Sequence, residues 1–323
     1  MVVQVARSRE NIQLSKGKTF RLLRWREDIS KVEELPAPGQ SIPLQGRGDH
    51  WHYHPQTELT LVQHGEGTRF IADHIELFEP GDLVLIGSNV PHYWHLRGES
   101  SGLAIQWHFP LQHGIWDFNE AAALCSLEEV ARKGLHLSGI TAATVRQLME
   151  GMHALAGLPR LTSVLTIIST LADASGKDVR PLSARSFSLS GTDEHQEAIR
   201  RAVSYIIAHF RETVSLPELL ELTGMSRATF SRQFQLHAGR SFSTFLNQVR
   251  LQAVCRALRD SNEPITKIAL ENGFNQLSFF NRLFRREFGF NPSAFRANAK
   301  AGRSKTSAID PHGSSNTAQT IQP

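Results

Sequence analysis

"ITKIALENGFNQLSFFNRLFRREFGFNPSAFR", residues 265–296, holds two helical patterns joined by a glycine. Ile265, Ile268 and Ala269 recur at three- and four-residue steps, as on the buried stripe of a short helix, and Pro264 suits its first turn. Gly273 supplies the bend. Phe280 and Phe284 then sit on one face of a second helix, leaving Gln276, Leu277, Ser278, Asn281 and Arg282 for the other. A short helix, a glycine turn and a second helix with a polar, basic outer face predict a helix-turn-helix.

The same pattern occurs fifty residues earlier. Phe230, Arg232, Phe234, Gly239, Ser243 and Phe245 match Phe280, Arg282, Phe284, Gly289, Ser293 and Phe295, and Gly224 precedes Gly273 by one residue less. In this copy Ser215 and Glu218 form a capping box, Leu216, Leu219, Leu220 and Leu222 make the buried face, and Ser226 caps the next helix. Between the copies, residues 241–261 read as a long helix with Phe245, Val249 and Leu258 inward. A helical bundle with merely solvated arginines would need repeat, turn glycine and outward arginine to coincide by chance. Two such units can set their reading helices about 34 Å, one DNA turn, apart on one duplex.

With its spaced Ile265, Ile268, Ala269, Gly273, Phe274, Ser278, Phe280, Arg282, Phe284, Gly289, Pro292, Phe295 and Arg296, the 265–296 segment resembles the signature of the AraC/XylS family of bacterial transcription regulators. The resemblance covers about residues 194–298. It implies a first recognition helix with Arg227, Ala228, Thr229, Ser231 and Arg232, and a second with Leu277, Ser278, Asn281 and Arg282. Position 276, commonly a short acidic or hydroxyl residue in the family, is Gln276 here, so Asn275 is expected to cap. Arg232 and Arg282 are the expected base contacts, since a guanidinium pairs bidentately with guanine O6 and N7. Arg285, Arg286 and Arg296 are expected to neutralise phosphates. Charge agrees: residues 194–300 carry 15 Lys or Arg against 9 Asp or Glu, whereas the rest carries 20 against 22. A basic surplus confined to one region suits a polyanion, double-stranded DNA.

Upstream, residues 40–112 read as short strands, "ELTLV", "TRFIAD", "DLVLI" and "LAIQWHF", separated by turn signals. Within them "GRGDHWHYHPQTELTLVQHG" resembles the first cupin motif, from Gly46 through His52, His54 and Glu58 to Gly65. "PGDLVLIGSNVPHYW" resembles the second, with His92 as the remaining ligand and Leu96 where that motif has Asn. Imidazoles plus one carboxylate suit zinc, iron, manganese or nickel. Three uses of this set stand open: a structural or sensory metal, a metal-free pocket for a small molecule, and catalysis. Trp51, Tyr53, Phe70, Tyr93, Trp94 and Trp107 are either pocket walls, which would suit a sugar or small carboxylate, or core. His50, His64, His74 and His95 read as loop or surface residues.

The expected architecture is therefore multi-domain: a cupin or jelly-roll-like β-barrel (15–115), a helical connector (116–176), a polar linker (177–193), an all-α domain with two helix-turn-helix units (194–298) and a disordered tail (301–323). The connector's apolar stripes serve either homodimerisation or packing on its neighbours. No apolar run approaches the ~20 residues of a membrane-spanning helix, and the N-terminus does not read as a secretory signal. Cys125 and Cys255 form no disulfide or zinc pattern, which suits the cytoplasm. Together these readings describe a ligand-responsive transcription regulator, and the family resemblance implies an activator that also meets RNA polymerase. The alternatives are a cupin dioxygenase or isomerase with a DNA-binding appendage, and a metal-responsive regulator.

Overall fold

The computed structural model describes residues 18–44, 50–110, 112–189 and 195–306, the side chains of 302–306 excepted. The chain forms two compact units, Met1–Val249 and Arg250–Pro323.

The first unit opens with β1 (Phe20–Glu27), β2 (Val32–Glu34), β3 (Ile42–Pro43), β4 (Thr57–Ile71), β5 (His74–Phe78), β6 (Leu83–Ile86) and β7 (His92–Trp107). There follow α1 (Ala122–Ala131), β8 (Leu135–Leu137), α2 (Gly139–Gly151), α3 (Gly157–Ala172) and β9 (Val179–Pro181). All strand pairs are antiparallel, in the order β3-β2-β1-β7-β4-β6-β8-β9, with β5 on β4. Successive residues of a strand face opposite sides, and β6 is apolar throughout because both of its sides are buried. Leu83 and Leu85 join the core shared with α1, α2 and α3, whereas Val84 and Ile86 join a second core with Trp25, Val62 and Trp94.

Three expectations need correction. "ELTLV" and "TRFIAD" are one strand, β4, and "LAIQWHF" is the end of the sixteen-residue β7. Register shifts around His64 absorb the intervening "HGEG", so residues that look like a turn continue the pairing as bulges. The linker read over 177–193 is structured where it is described. Val179 pairs with Leu137, and Leu182, Phe187 and Leu189 are buried. Their anchors are backbone bonds to Gly134, Arg132 and Asn89, which leave no periodic signature in sequence. Finally, the tail read from 301 starts inside a helix, α10 (Pro292–Thr306), because its Ala- and Lys-rich stretch continues a good helix-former beyond the last apolar contact. The tail beyond 306, Gly46, and the linker end at 190–194 lie outside the described residues.

After the sheet come α4 (Gln196–His209), α5 (Leu216–Thr223), α6 (Arg227–Ala238) and α7 (Phe242–Asp260), within which the first unit ends. Ile199, Val203, Ile206, Phe230, Phe234 and Phe245 form one core, and Phe70 and Ile75 of the sheet and Trp51 of the segment before β4 belong to it. That shared core groups the first helix-turn-helix with the sheet. The second unit holds α8 (Ile265–Glu271), α9 (Leu277–Phe288) and α10 around Ile268, Ala269, Phe280, Leu283 and Phe284.

Candidate functional site

Both helix-turn-helix copies are built as their repeat implies. Ser215 and Glu218 cap α5 reciprocally, and Ser226 accepts from the Thr229 amide to open α6. Gly224 and Gly273 take φ of +68° and +85°, a conformation that costs residues with a Cβ, so each turn is sharp enough to bring the next helix across. Phe230 and Phe234 (ring centroids 5.4 Å apart) and Phe280 and Phe284 (5.7 Å) are buried and anchor α6 and α9.

With the aromatic face inward, the opposite face is presented to solvent. Arg227, Ala228, Ser231 and Arg232 are exposed on α6, and Ser278, Asn281, Arg282, Arg285 and Arg286 on α9. Gln276 is exposed ahead of α9, while Thr229 and Leu277 are half-buried. Among the described residues no carboxylate pairs with Arg227, Arg232, Arg282, Arg285 or Arg286, and Arg282 lies 5.9 Å from the Phe279 ring centroid. Arg296 is half-buried and donates from Nη2 to the Glu263 carbonyl (2.6 Å), which fastens α10 to the loop before α8. One expectation fails. Gln276 itself is the residue preceding α9, and no side chain caps the helix, so Asn275 does not take that role.

The histidines converge. His52 and His92 form a bridge between their backbones, and the ligand atoms of His52, His54 and His92 all lie within 4.8 Å of one another in a buried site. Each imidazole has Nδ1 against a carbonyl: His52 on His50 (2.7 Å), His54 on Gln56 (3.0 Å) and His92 on Val90 (2.8 Å). A carbonyl only accepts, so each Nδ1 carries a proton, and a ring in its neutral form would keep its lone pair on Nε2. The His92 Nε2 is buried and meets no hydrogen-bond partner among the described residues. Burial, then the charge of His52, pushes the His92 imidazole well below its ordinary range and keeps it neutral. Converging lone pairs whose opposite nitrogens are oriented by backbone carbonyls are what a divalent ion requires. The donor set fits one.

Glu58, read as a fourth ligand, is engaged elsewhere. Its Oε1 accepts from Thr60 (2.5 Å), and its Oε2 accepts from Gln106 (2.5 Å) and lies 3.1 Å from His54 Nε2. Burial alone would raise this carboxyl, but the His54 contact, neighbouring imidazole charge and the Gln106 bond outweigh it and hold it well below the usual range. The Gln106 amide also lies 3.3 Å from His54 Nε2, and a proton or a metal ion between ring and carboxylate would relieve what repulsion remains. Behind Gln106 stands Arg21, whose Nε donates to Gln106 Oε1 (2.6 Å). Arg21, Gln106 and Glu58 are register partners across β1, β7 and β4, so the polar relay is one lateral row of the sheet. Sequence reading passed over Arg21 and Gln106; their only signal was a polar residue inside each of two apolar strands, "FRLL" and "AIQW".

Of the six aromatic residues with two readings, Trp51, Tyr53, Phe70, Trp94 and Trp107 are buried. Trp94 alone of them adjoins His92 in a ring contact (5.7 Å), while Trp51, Phe70 and Tyr93 belong to the core with α6 and α7. His50, His64, His74 and His95 stay outside the three-histidine cluster, and His64 and His95 are exposed.

Comparison with known proteins matches a helix-turn-helix domain to residues 219–298 and a cupin domain to residues 36–107. The chain is 25% identical over 279 residues to the HTH-type transcriptional activator RhaS of Escherichia fergusonii, covering 83% of this chain and 96% of the relative. The RhaS of an Enterobacter species is 26% identical over 263 residues, covering 76% and 86%. The crystal structure of a probable AraC family transcriptional regulator from Rhodopseudomonas palustris is 32% identical, covers 32% of this chain and 98% of its own, and superposes with a TM-score of 0.31. The duplicated helices and these matches identify a helix-turn-helix domain joined to an N-terminal cupin domain, and they support reading the chain as a DNA-binding transcription regulator of the AraC type.

Proposed function

We propose that the protein is a transcription activator that sets α6 and α9 into successive major grooves of one duplex, about 34 Å apart. The observation that carries this reading is the pair of exposed arginine faces, each opposite buried phenylalanines and without carboxylate partners among the described residues. Arg232 and Arg282 contact bases, with Ala228, Ser231, Ser278 and Asn281 beside them, and Arg227, Arg285 and Arg286 neutralise phosphates. Hydroxyl-radical footprinting on a duplex selected from random DNA tests this. Protection in two patches one helical turn apart is expected, and a single patch would sink it.

In the cupin domain His52, His54 and His92 would hold a divalent ion, zinc, iron, manganese or nickel, with Glu58 ionised beside His54. Such an ion supplies a positive charge to an oxygen of a small effector, such as a sugar or a small carboxylate. A second reading, favoured by the lone His92 Nε2, makes the metal itself the signal. Elemental analysis followed by DNA-binding assays on the doubly substituted His52→Ala, His54→Ala protein separates the two: a metal sensor loses its response, whereas an organic-effector sensor retains part of it. We assign no turnover to the site, since Glu58, its nearest acid, is committed to Thr60, Gln106 and His54. Product formation by the iron- or manganese-loaded protein would reverse that assignment.

Exposed Val130, Ile140, Leu158 and Leu165 on the helices of the connector suit a homodimer, for which sedimentation of Leu158→Asp against wild type is the measurement. No helix among the described residues is long and apolar enough to cross a membrane. A cytoplasmic site of action and contact with RNA polymerase follow from the activator reading.

A further inference from the structure

The three histidines alternate in sequence with residues that do not face them. Between His50 and His54 stand Trp51 and Tyr53, and after His92 comes Tyr93. Period-two alternation sends these aromatic rings to the other side of the chain, where they meet the first helix-turn-helix. Trp51 packs edge-on against Phe245 (6.1 Å between centroids), Tyr53 lies 6.2 Å from His237, and Tyr93 stacks on Phe70 (5.5 Å), which in turn contacts Phe245 (6.0 Å). His237 is in the last turn of α6, and Phe245 touches Phe234 of the same helix (5.6 Å).

Polar contacts pin the same end. Arg240, just past α6, donates to the Asp73 carbonyl, and Arg185 donates to the Gly239 carbonyl (2.6 Å). A Cβ on Gly239 would fall 2.5 Å from the Asp73 Cβ, so α6 ends against the β4–β5 turn with no room to spare. The DNA-reading helix is thus seated on the backbone segments that carry the histidines.

We propose that filling the histidine centre sets the position of α6: drawing His52, His54 and His92 together fixes the 51–54 and 92–93 segments, and Trp51, Tyr53 and Tyr93 pass that order to Phe245, His237 and α6. This rests on the reading of the centre as a metal site. The sign is positive, because a preformed seat removes the population penalty paid by a helix that must be ordered on binding DNA. By linkage the effect is reciprocal: DNA must tighten metal binding by the factor by which metal tightens DNA binding.

The test uses the full chain, zinc as the probe and a duplex selected from random DNA. Calorimetry gives the zinc Kd with and without duplex, and fluorescence anisotropy gives the duplex Kd with and without zinc. Zinc is expected to tighten DNA binding at least tenfold, with the same factor recovered for zinc on adding duplex. In Trp51→Leu and in Phe245→Leu one zinc should still bind per chain, but the coupling should fall below twofold. Should either variant fail to fold, hydrogen exchange on wild type replaces it, and zinc should slow the amides of residues 227–238. A coupling below twofold in wild type, a coupling that survives both substitutions, or unchanged α6 exchange overturns the proposal while leaving the metal site standing. Failure of the wild-type chain to bind zinc, iron, manganese or nickel in calorimetry overturns the site itself and the proposal with it.

Discussion

The two helix-turn-helix copies were built from one pattern and ended in different surroundings. Each has its glycine turn, its buried phenylalanine pair and its exposed arginines. The first, however, shares a core with Trp51, Phe70 and Ile75 of the cupin domain, whereas the second packs within its own unit. Their reading helices differ as well: α6 is opened by Ser226, while α9 has no side-chain cap but carries Arg285 and Arg286 in its last turn, where the helix dipole favours cations. Duplication preserves what the helix pair needs to fold and read DNA. What each copy packs against is free to diverge, and the first shares its core with residues of the cupin domain.

The largest effect that can break this comparison comes from the anchors. Phe234→Ala and Phe284→Ala should each cost about 3–5 kcal/mol, the usual loss for a buried phenylalanine. If the units unfold separately, denaturation followed by tryptophan emission should shift for Phe234→Ala and hardly for Phe284→Ala, since no tryptophan lies in residues 250–306. Equal shifts would mean that the copies unfold as one.

Next come the base contacts. Arg282→Ala should lose about 1–3 kcal/mol at one base position and relax specificity there, with Arg232→Ala doing the same at a position one DNA turn away. A uniform loss on all sequences would demote either arginine to a phosphate contact. Smaller again is the cap: Ser226→Ala should cost ~1 kcal/mol, and Gln276→Ser should stabilise α9 by a similar or lesser amount. No gain from Gln276→Ser would show that α9 is limited by something other than its first turn.

Acid gives the finest discrimination. Burial depresses the imidazoles of His92 and, less completely buried, His136. Below the ordinary imidazole value of 6.5 an unfolded chain therefore takes up protons that the folded chain refuses, and stability must fall with pH. Above that value neither state is protonated, and the contribution disappears. The metal-free protein should thus lose melting temperature between pH 7 and 5.5 in the first unit alone, because residues 250–306 contain no histidine. A second unit that follows the same curve would contradict the division.

Local chemistry was legible where it repeats or is spaced by a single element. The fifty-residue repeat of Phe, Arg and Gly placed α6 and α9 and their outward faces, and His-x-His placed two imidazoles on one side of a strand-like segment. Both readings rest on periodicities that any helix or strand imposes on its own side chains. Partners that come from different strands could not be read that way. The row of Arg21, Gln106 and Glu58 depends on register between β1, β7 and β4, and the engagement of Glu58 by Thr60 and Gln106 follows from it. Arg296 likewise looked like one more basic side chain until the fold brought the Glu263 carbonyl beside it. Composition and spacing determined the two folds and the exposed, arginine-bearing helix faces, because those properties belong to single elements. Tertiary structure alone decided which polar groups satisfy one another and which core each aromatic ring enters, because those are pairings between segments that the chain's order does not constrain.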